Sequence, residues 1–144
     1  MVEILRLTEA GEQIVNDINK LLPQLRGERM QEMGSLDDLK AIVGDSTAAL
    51  IVAQDAGKTI GMATLYMMKK FGKYGGYVED VVVDENYRGQ GVGEKLMREL
   101  IVEAKKAGLT YMYLTSRPDR IAAHRLYEKL GFKKKETDVF RVDI

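Results

Sequence analysis

The sequence contains no cysteine, a single histidine and no long run of apolar residues. Without cysteine the chain forms neither disulfides nor thiolate metal sites, and an acyl-enzyme on cysteine is excluded. One histidine does not make a credible metal site, so we expect no metal. The longest apolar stretches, 48–53 and 61–68, are far shorter than the ~20 residues of a membrane span. Charged residues interrupt the first twenty positions, which argues against a signal peptide and predicts a cytoplasmic protein.

Net charge is also lacking, because 22 basic residues balance 22 acidic ones. The whole molecule therefore offers no general attraction to nucleic acid or to an anionic membrane. Charge is nevertheless uneven along the chain: Glu9 to Asp45 holds eight acidic and four basic residues, and Arg117 to Lys135 holds seven basic and two acidic. The first segment favours a cationic substrate, and the second suits an anionic ligand, although a run such as Lys133 to Lys135 is most often a solvated edge.

The 144 residues, 45% of them hydrophobic and 31% charged, predict one globular domain spanning residues 1–144. Strand and helix patterns do not alternate strictly, so we expect an α/β fold with an α+β mixed sheet and helices on both faces. The patterns predict a first helix that stops at Pro23, a second helix capped by Ser35, a hairpin from Ala48–Gln54 and Thr59–Met68, a strand over Tyr111–Ser116, and one or two final strands within Lys133–Asp143.

A strand, a glycine-rich loop and a helix between Val78 and Ala107 carry the strongest chemical signal. A helix that begins at a glycine turn presents unpaired backbone N–H groups and a partial positive charge, which suit a diphosphate, and Arg88 adds a cation. The spacing matches neither a P-loop nor a dinucleotide fingerprint, which needs a glycine where Glu94 stands. Taken alone, the loop could equally be a tight turn between a strand and a helix.

Two blocks of the sequence resemble motifs of the GNAT superfamily of acyl-CoA-dependent N-acyltransferases. Val81 to Leu96 is similar to the central motif, whose pyrophosphate loop is Arg/Gln-x-x-Gly-x-Gly/Ala and is matched by Arg88, Gly91 and Gly93. Ala122 to Phe132 resembles the carboxy-terminal motif, including its tyrosine, here Tyr127, and its Gly-Phe pair. The order of elements agrees over nearly the whole chain. Arg120 departs from the family pattern, since many members carry Asn there.

The resemblance implies a fold of six to seven mostly antiparallel strands, with strands 4 and 5 splayed apart, and four helices. It implies that the backbone of strand 4 pairs with the pantetheine amides of acetyl-CoA. In this family the acceptor pocket is usually shaped by the amino-terminal helices and a late loop, here Leu25 to Ser35 and Lys135 to Asp138. The residues implied to bind the cofactor are Val81, Val82, Val83, Arg88, Gly89, Gln90, Gly91, Val92, Gly93, Glu94, Ala123, His124 and Tyr127.

Transfer of an acetyl group from a thioester to an amine requires two proton movements. An alkyl ammonium with a pKa of about 10.4 must lose a proton, and the leaving thiolate gains one. Tyr127, with an ordinary pKa of about 10, is suited to donate that second proton. Glu79 is the candidate general base because it lies beside the predicted cofactor strand; alternation in that strand predicts that Glu79 and Asp80 face opposite sides.

Each assignment has an ordinary structural alternative. Tyr127 could be a boundary residue of an amphipathic helix, and Glu79 could be a solvated strand carboxylate. His124 could be imagined as a proton shuttle, but a lone surface histidine is usually nothing more.

The sequence thus predicts an acetyl-CoA-dependent N-acetyltransferase that acts directly on a primary amine of a small molecule or a protein. The pair Glu79-Asp80 followed by valines also resembles amino-sugar phosphate acetyltransferases of the same superfamily. The main alternative is a non-catalytic acyl-CoA-binding sensor module, and a nucleic-acid-binding domain is a distant third. We expect acetyl-CoA and an amine as partners, neither nucleic acid nor a membrane, and a homodimer as a candidate assembly.

Overall fold

The computed structural model describes residues 1–27 and 32–144, which form five β-strands, four α-helices and one short 3₁₀ turn. No helix among these residues has the length and apolarity that crossing a membrane requires. In chain order the elements are β1 (Val2–Arg6), α1 (Glu12–Arg26), α2 (Leu36–Val43), β2 (Ala48–Asp55), β3 (Lys58–Lys70), β4 (Lys73–Val83), the 3₁₀ turn (Glu85–Tyr87), α3 (Val92–Ala107), β5 (Tyr111–Tyr113) and α4 (Ile121–Lys129).

The five strands form one mixed sheet in the order β1-β2-β3-β4-β5. Neighbouring strands are antiparallel except β4 and β5, which run parallel and pair only over Gly75–Tyr77 and Tyr111–Tyr113. Residues 78–83 of β4 therefore continue past their last contact with β5, and within the described part of the chain no strand covers that edge. The predicted separation of strands 4 and 5 is thus present, and it opens the sheet at the carboxyl end of β4.

Helices cover both faces of the sheet, as the sequence predicts. Helix α3 packs on one face through Leu96, Met97 and Leu100, all fully buried. Helices α1 and α2 pack on the other face, where Leu21 and Leu39 join the core around Val52. Burying a large apolar side chain stabilises the fold by about 1.5–3 kcal/mol, so these two clusters fix both helical layers against the sheet.

Two glycines of β4 allow β5 to approach closely. A Cβ on Gly75 would overlap the ring of Tyr111, and a Cβ on Gly76 would lie 2.6 Å from Leu65 Cδ1. Neither position has room for a side chain. The ring of Tyr111 fills the space over Gly75 on the α1 side of the sheet. On the same side, the ring of Tyr113 meets that of Tyr77 edge to face at 4.9 Å.

Two of the predicted boundaries and the predicted final strands are wrong. Helix α1 continues past Pro23 to Arg26, because a proline disturbs the turn before it and not the residues after it. Strand β5 ends at Tyr113 and not at Ser116. The predicted final strands within Lys133–Asp143 are absent, since these residues are exposed and have no strand partner among the described residues; the sheet therefore has five strands and not six to seven.

Candidate active site

A β-bulge interrupts β4 at Asp80 and Val81. Thr64 pairs with Glu79 and Met62 pairs with Val82, so two residues of β4 lie opposite one residue of β3. Asp80 has a φ of 51°, in the left-handed region that residues other than glycine rarely occupy. A bulge of this kind bends the strand and re-aims the following residues.

The bulge overturns the prediction that Glu79 and Asp80 face opposite sides of the sheet. Val78 packs in the core under α3, whereas Val82 packs in the core under α1 and α2, although strict alternation would put both on one face. Glu79, next to Val78, therefore points to the α1 side. Asp80 also reaches that side, because its carboxylate contacts Arg26 at the end of α1. The two carboxylates lie together.

Arg26 Nη2 lies 2.8 Å from Asp80 Oδ1 and 2.9 Å from Asp80 Oδ2, so one nitrogen donates to both carboxylate oxygens. Two residues earlier in α1, Gln24 Oε1 accepts a hydrogen bond of 2.9 Å from the backbone N–H of Glu85. The last turn of α1 is thus attached to β4 at the bulge and to the chain just beyond its end. Neither contact could be expected from the sequence, because the partners are 54 and 61 residues apart.

The pKa of Glu79 is raised, first by partial burial and then by the negative charge of Asp80. The Arg26 guanidinium and a hydrogen bond with the backbone of Asp80 oppose that rise in pKa. The pKa of Tyr66, on the neighbouring strand, is raised by burial and by the same two carboxylates. A carboxylate with a raised pKa is a better proton acceptor than an ordinary one.

The loop before α3 has the geometry of an anion site. Gly89 and Gly91 adopt φ values of 76° and 79°, and no side chain caps the helix that begins after Gly91. The first N–H groups of α3 are therefore available to a ligand, at the positive end of the helix dipole. The exposed side chain of Arg88 folds back to donate from Nε to the carbonyl of Val83 at 3.2 Å, which joins the loop to β4.

A cavity of about 470 Å³ lies where β4 leaves β5. One wall is the end of β4 with Arg88, and the opposite wall is the start of α4 with the turn before it. The complete lining is Gln24, Leu25, Val81, Val82, Val83, Arg88, Asp119, Arg120, Ile121, Ala122 and Ala123. Five predicted cofactor residues, Val81, Val82, Val83, Arg88 and Ala123, thus meet at one opening, together with Leu25 from the predicted acceptor segment, while Gln24 and Asp119 were not anticipated.

The other predicted site residues lie around this cavity without lining it. Tyr127, one turn after Ala123 in α4, is partly buried against the core under α3, with its ring centroid 5.9 Å from that of Phe132. Burial raises the pKa of Tyr127, and Arg120 lowers it by less. The residues from Gly89 to Gly93 and Glu94 form the turn and first residues of α3, next to Arg88.

Glu94 and His124 each have a structural partner. The carboxylate of Glu94 accepts from Arg98 and from Lys129, each at 2.9 Å, which holds α4 against α3 and lowers the pKa of Glu94. His124 Nε2 lies 2.9 Å from the carbonyl of Arg117, so this nitrogen carries the hydrogen and donates. That bond fixes the turn before α4. In the described ranges, 1–27 and 32–144, no group of three or more His, Asp or Glu side chains is placed to hold a metal ion.

The chain is similar to known proteins in sequence and in fold. Residues 12–132 match the model of the Acetyltransferase (GNAT) family. A glucosamine 6-phosphate N-acetyltransferase of Trypanosoma brucei brucei is 33% identical over 116 residues, covering 78% of this chain and 76% of that protein. The crystal structure of a Trypanosoma brucei acetyltransferase superposes with a TM-score of 0.79 at 28% identity over the full length of both chains. The structure of AAC(6')-Iy in complex with a CoA-containing bisubstrate analogue has a TM-score of 0.79 at 19% identity and covers 100% of this chain and 99% of that one.

The split sheet, the glycine loop and the uncapped helix agree with the class of coenzyme A-dependent acyltransferases that the sequence resembles. The chain belongs to the GNAT acetyltransferase family. It is an N-acetyltransferase that takes acetyl-CoA as its donor.

Proposed function

We propose that the chain transfers acetyl from acetyl-CoA to the amino group of a phosphorylated amino sugar such as glucosamine 6-phosphate. The similarity to a glucosamine 6-phosphate N-acetyltransferase over 78% of the chain supports this acceptor class. We take residues 1–144 as one N-acetyltransferase domain, consistent with the family match over residues 12–132.

The donor side fits coenzyme A. Its diphosphate would accept hydrogen bonds from the N–H groups of Gly91 to Glu94, with Arg88 as counter-charge. Its pantetheine arm would pair with the backbone of Val81 to Val83 along the edge that β5 leaves open. Ala123 opposite that edge is small enough to leave room for the arm, and Gly89, Gln90, Val92 and His124 complete the surroundings.

The chemistry is a direct acyl transfer in which a C–N bond forms as the C–S bond breaks. Glu79 takes a proton from the acceptor ammonium, the backbone N–H of Val81 polarises the thioester carbonyl, and Tyr127 gives its hydroxyl proton to the leaving thiolate. The raised pKa of Tyr127 keeps it protonated, and the raised pKa of Glu79 brings it nearer to the amine that it must deprotonate. Holding donor and acceptor together supplies the rest of the acceleration.

The observation that carries the proposal is the pair Glu79 and Asp80 on the α1 side of β4, which directly precedes Val81 in the wall of the cavity. Such a pair attracts an ammonium group to the thioester. Its test is thiol release from acetyl-CoA with a panel of glucosamine 6-phosphate, glucosamine, an aminoglycoside, free amino acids and lysine peptides. We expect the highest kcat/KM with glucosamine 6-phosphate. A higher value with unphosphorylated amines or peptides would overturn the acceptor class, and failure to bind coenzyme A in calorimetry would overturn the donor site.

A sensor module that binds acetyl-CoA without turnover is the second candidate. The glycine loop would serve it equally well, whereas the carboxylate pair and the partly buried Tyr127 would have no purpose in it. Coenzyme A binding without thiol release for any amine in the panel would favour the sensor.

We also propose that the chain forms a homodimer through its last twelve residues, 133–144. Val139, Phe140, Val142 and Ile144 are 73–116% exposed. In a strand, Phe140, Val142 and Ile144 would share one face. Within the described chain β5 has no strand on its outer edge. A strand-patterned segment and an open edge in the same chain favour pairing between two copies.

The assembly is tested by sedimentation of the full chain and of two variants. Val142→Asp places a charge on the apolar face and should give a monomer, whereas Val139→Asp, on the opposite face, should leave a dimer. A wild-type monomer, or equal loss of the dimer in both variants, would overturn this assembly.

We also propose the cytoplasmic location predicted from the sequence, and fractionation of cells that produce the chain tests it.

A further inference from the structure

Among the described residues, one ion pair joins α1 to the bulge of β4, and Arg26 forms it with Asp80. We propose that Arg26 is a positioning residue for acetyl transfer: its ion pair with Asp80 holds the bulge in shape and offsets the negative charge beside Glu79. The inference rests on the proposed roles of Glu79 as base and of Val81 as the group that polarises the thioester.

The first part of the argument is conformational. A side chain in the left-handed region costs about 1–2 kcal/mol, and such a conformation persists only where the surroundings hold it. Asp80 is such a residue, and Arg26 donates to both of its carboxylate oxygens. The bond between Gln24 and the N–H of Glu85 anchors the same turn of α1 beyond the end of β4. The contacts of Arg26 and Gln24 therefore hold the chain on both sides of Val81, which directly follows Asp80.

The second part is electrostatic. The charged groups that act on Glu79 are Asp80 on its own strand and Arg26 from the helix packed over it, and Tyr66 on β3 adds a neutral phenol. Asp80 raises the pKa of Glu79 and Arg26 lowers it. Removing Arg26 takes away the opposing charge and leaves Asp80 unpaired, so both changes act in one direction. The pKa of Glu79 should rise, and a base that must be deprotonated should then fail at a higher pH.

Two substitutions separate charge from geometry. Arg26→Gln removes the cation, whereas Arg26→Lys keeps it and loses the guanidinium. Lys106→Gln is the control, because the exposed side chain of Lys106 pairs at 3.7 Å with Glu103 on α3, away from the bulge. The readouts are the Glu79 carboxyl titration by ¹³C NMR, the pH profile of kcat/KM and kcat at its high-pH plateau.

We expect Arg26→Gln to raise the pKa of Glu79, move the acid limb of kcat/KM to higher pH and lower plateau kcat by about tenfold, less than the ~100–1,000-fold loss on deleting an oxyanion donor. Arg26→Lys should keep the acid limb near that of wild type and lower only the plateau. Lys106→Gln should match wild type in every readout.

Glycine at position 80 tests the conformational part. Asp80→Gly accepts a φ of 51° without steric cost and leaves Arg26 without a partner. Plateau kcat of Asp80→Gly and of the double variant Asp80→Gly/Arg26→Gln should therefore agree within about twofold, although Arg26→Gln alone costs about tenfold.

Two results would overturn the inference: an unchanged Glu79 titration in Arg26→Gln, or the same tenfold loss in the glycine background. Because the NMR titration needs no turnover, it still decides the electrostatic part if wild type acetylates no amine. That last result would refute the proposed function and not the role of Arg26 at the bulge.

Discussion

Gly91 and Gly93 lie two residues apart at the start of α3, and an added methyl group should have opposite effects at the two positions. Gly91 precedes the helix and has a φ of 79°. Nothing lies within 4 Å of a Cβ built there, so the methyl group has space. The cost of Gly91→Ala is therefore purely conformational, and an L-residue in the left-handed region pays about 1–2 kcal/mol.

Gly93 lies inside the helix, and its φ is ordinary. A Cβ at this position would be 3.7 Å from Leu126 Cδ2 and 3.8 Å from Val83 Cγ2, which is normal van der Waals contact. Alanine is favoured over glycine in a helix by about 0.5–1 kcal/mol. Gly93→Ala should therefore stabilise the fold by up to about that amount, and the inward direction of its methyl group should spare the ligand.

Urea unfolding and calorimetric titration with coenzyme A test the pair together. The two variants should differ in free energy of unfolding by about 2 kcal/mol, with Gly91→Ala below wild type and Gly93→Ala at or above it. Gly91→Ala should also bind coenzyme A more weakly, since relief of the left-handed strain tilts the N–H groups of the loop. Equal stabilities, or stronger loss of binding in Gly93→Ala, would refute the reasoning from φ and space.

Three further predictions concern catalysis and the core. Tyr127→Phe keeps the packing on Phe132 but removes the acid, so kcat should fall about 100-fold or more with little change in stability; unchanged turnover in the thiol assay would remove Tyr127 from the mechanism. Glu79→Gln should lower kcat/KM by about 100-fold or more and abolish the limb where activity falls as pH drops through the raised pKa of Glu79; a surviving limb would assign it elsewhere. Asp17→Ala should cost about 1–3 kcal/mol in urea unfolding, because the buried carboxylate accepts from the buried N–H of Thr59 at 3.0 Å, whereas the exposed control Glu9→Ala should cost little.

Elements with their own local signals were predictable from the sequence. Helix α2 begins at a capping box in which the side chain of Ser35 accepts from the N–H of Asp38 and the carboxylate of Asp38 accepts from the N–H of Ser35. Helix α3 is bounded by Gly91 and Gly108, both left-handed, as its glycines suggested. The ion pair of Glu94 with Arg98 follows from helical spacing alone. In each case the cause lies within a few residues of the effect.

Features that depend on distant partners were not predictable. The alternation in residues 133–143 is a genuine strand pattern, but a strand also needs a partner, and no described strand pairs with this segment. The predicted acceptor segment Leu25 to Ser35 includes residues 28–31, which lie outside the described residues. Arg26 lies just before them, and its partner is 54 residues away.

The bulge in β4 changes the chemistry most, and alternation could not reveal it. Strict alternation separates Glu79 from Asp80 and leaves a single carboxylate at the site, with an ordinary pKa. One extra residue opposite Ala63 brings both carboxylates to the α1 side, where the negative charge of Asp80 adds to burial in raising the pKa of Glu79. Two like charges at one site need either a shared proton or a nearby cation, and Arg26 is that cation. Arg26 at the end of α1 therefore lowers a pKa of Glu79 that burial and Asp80 raise, so the proposed role of Glu79 depends on α1 as well as on β4.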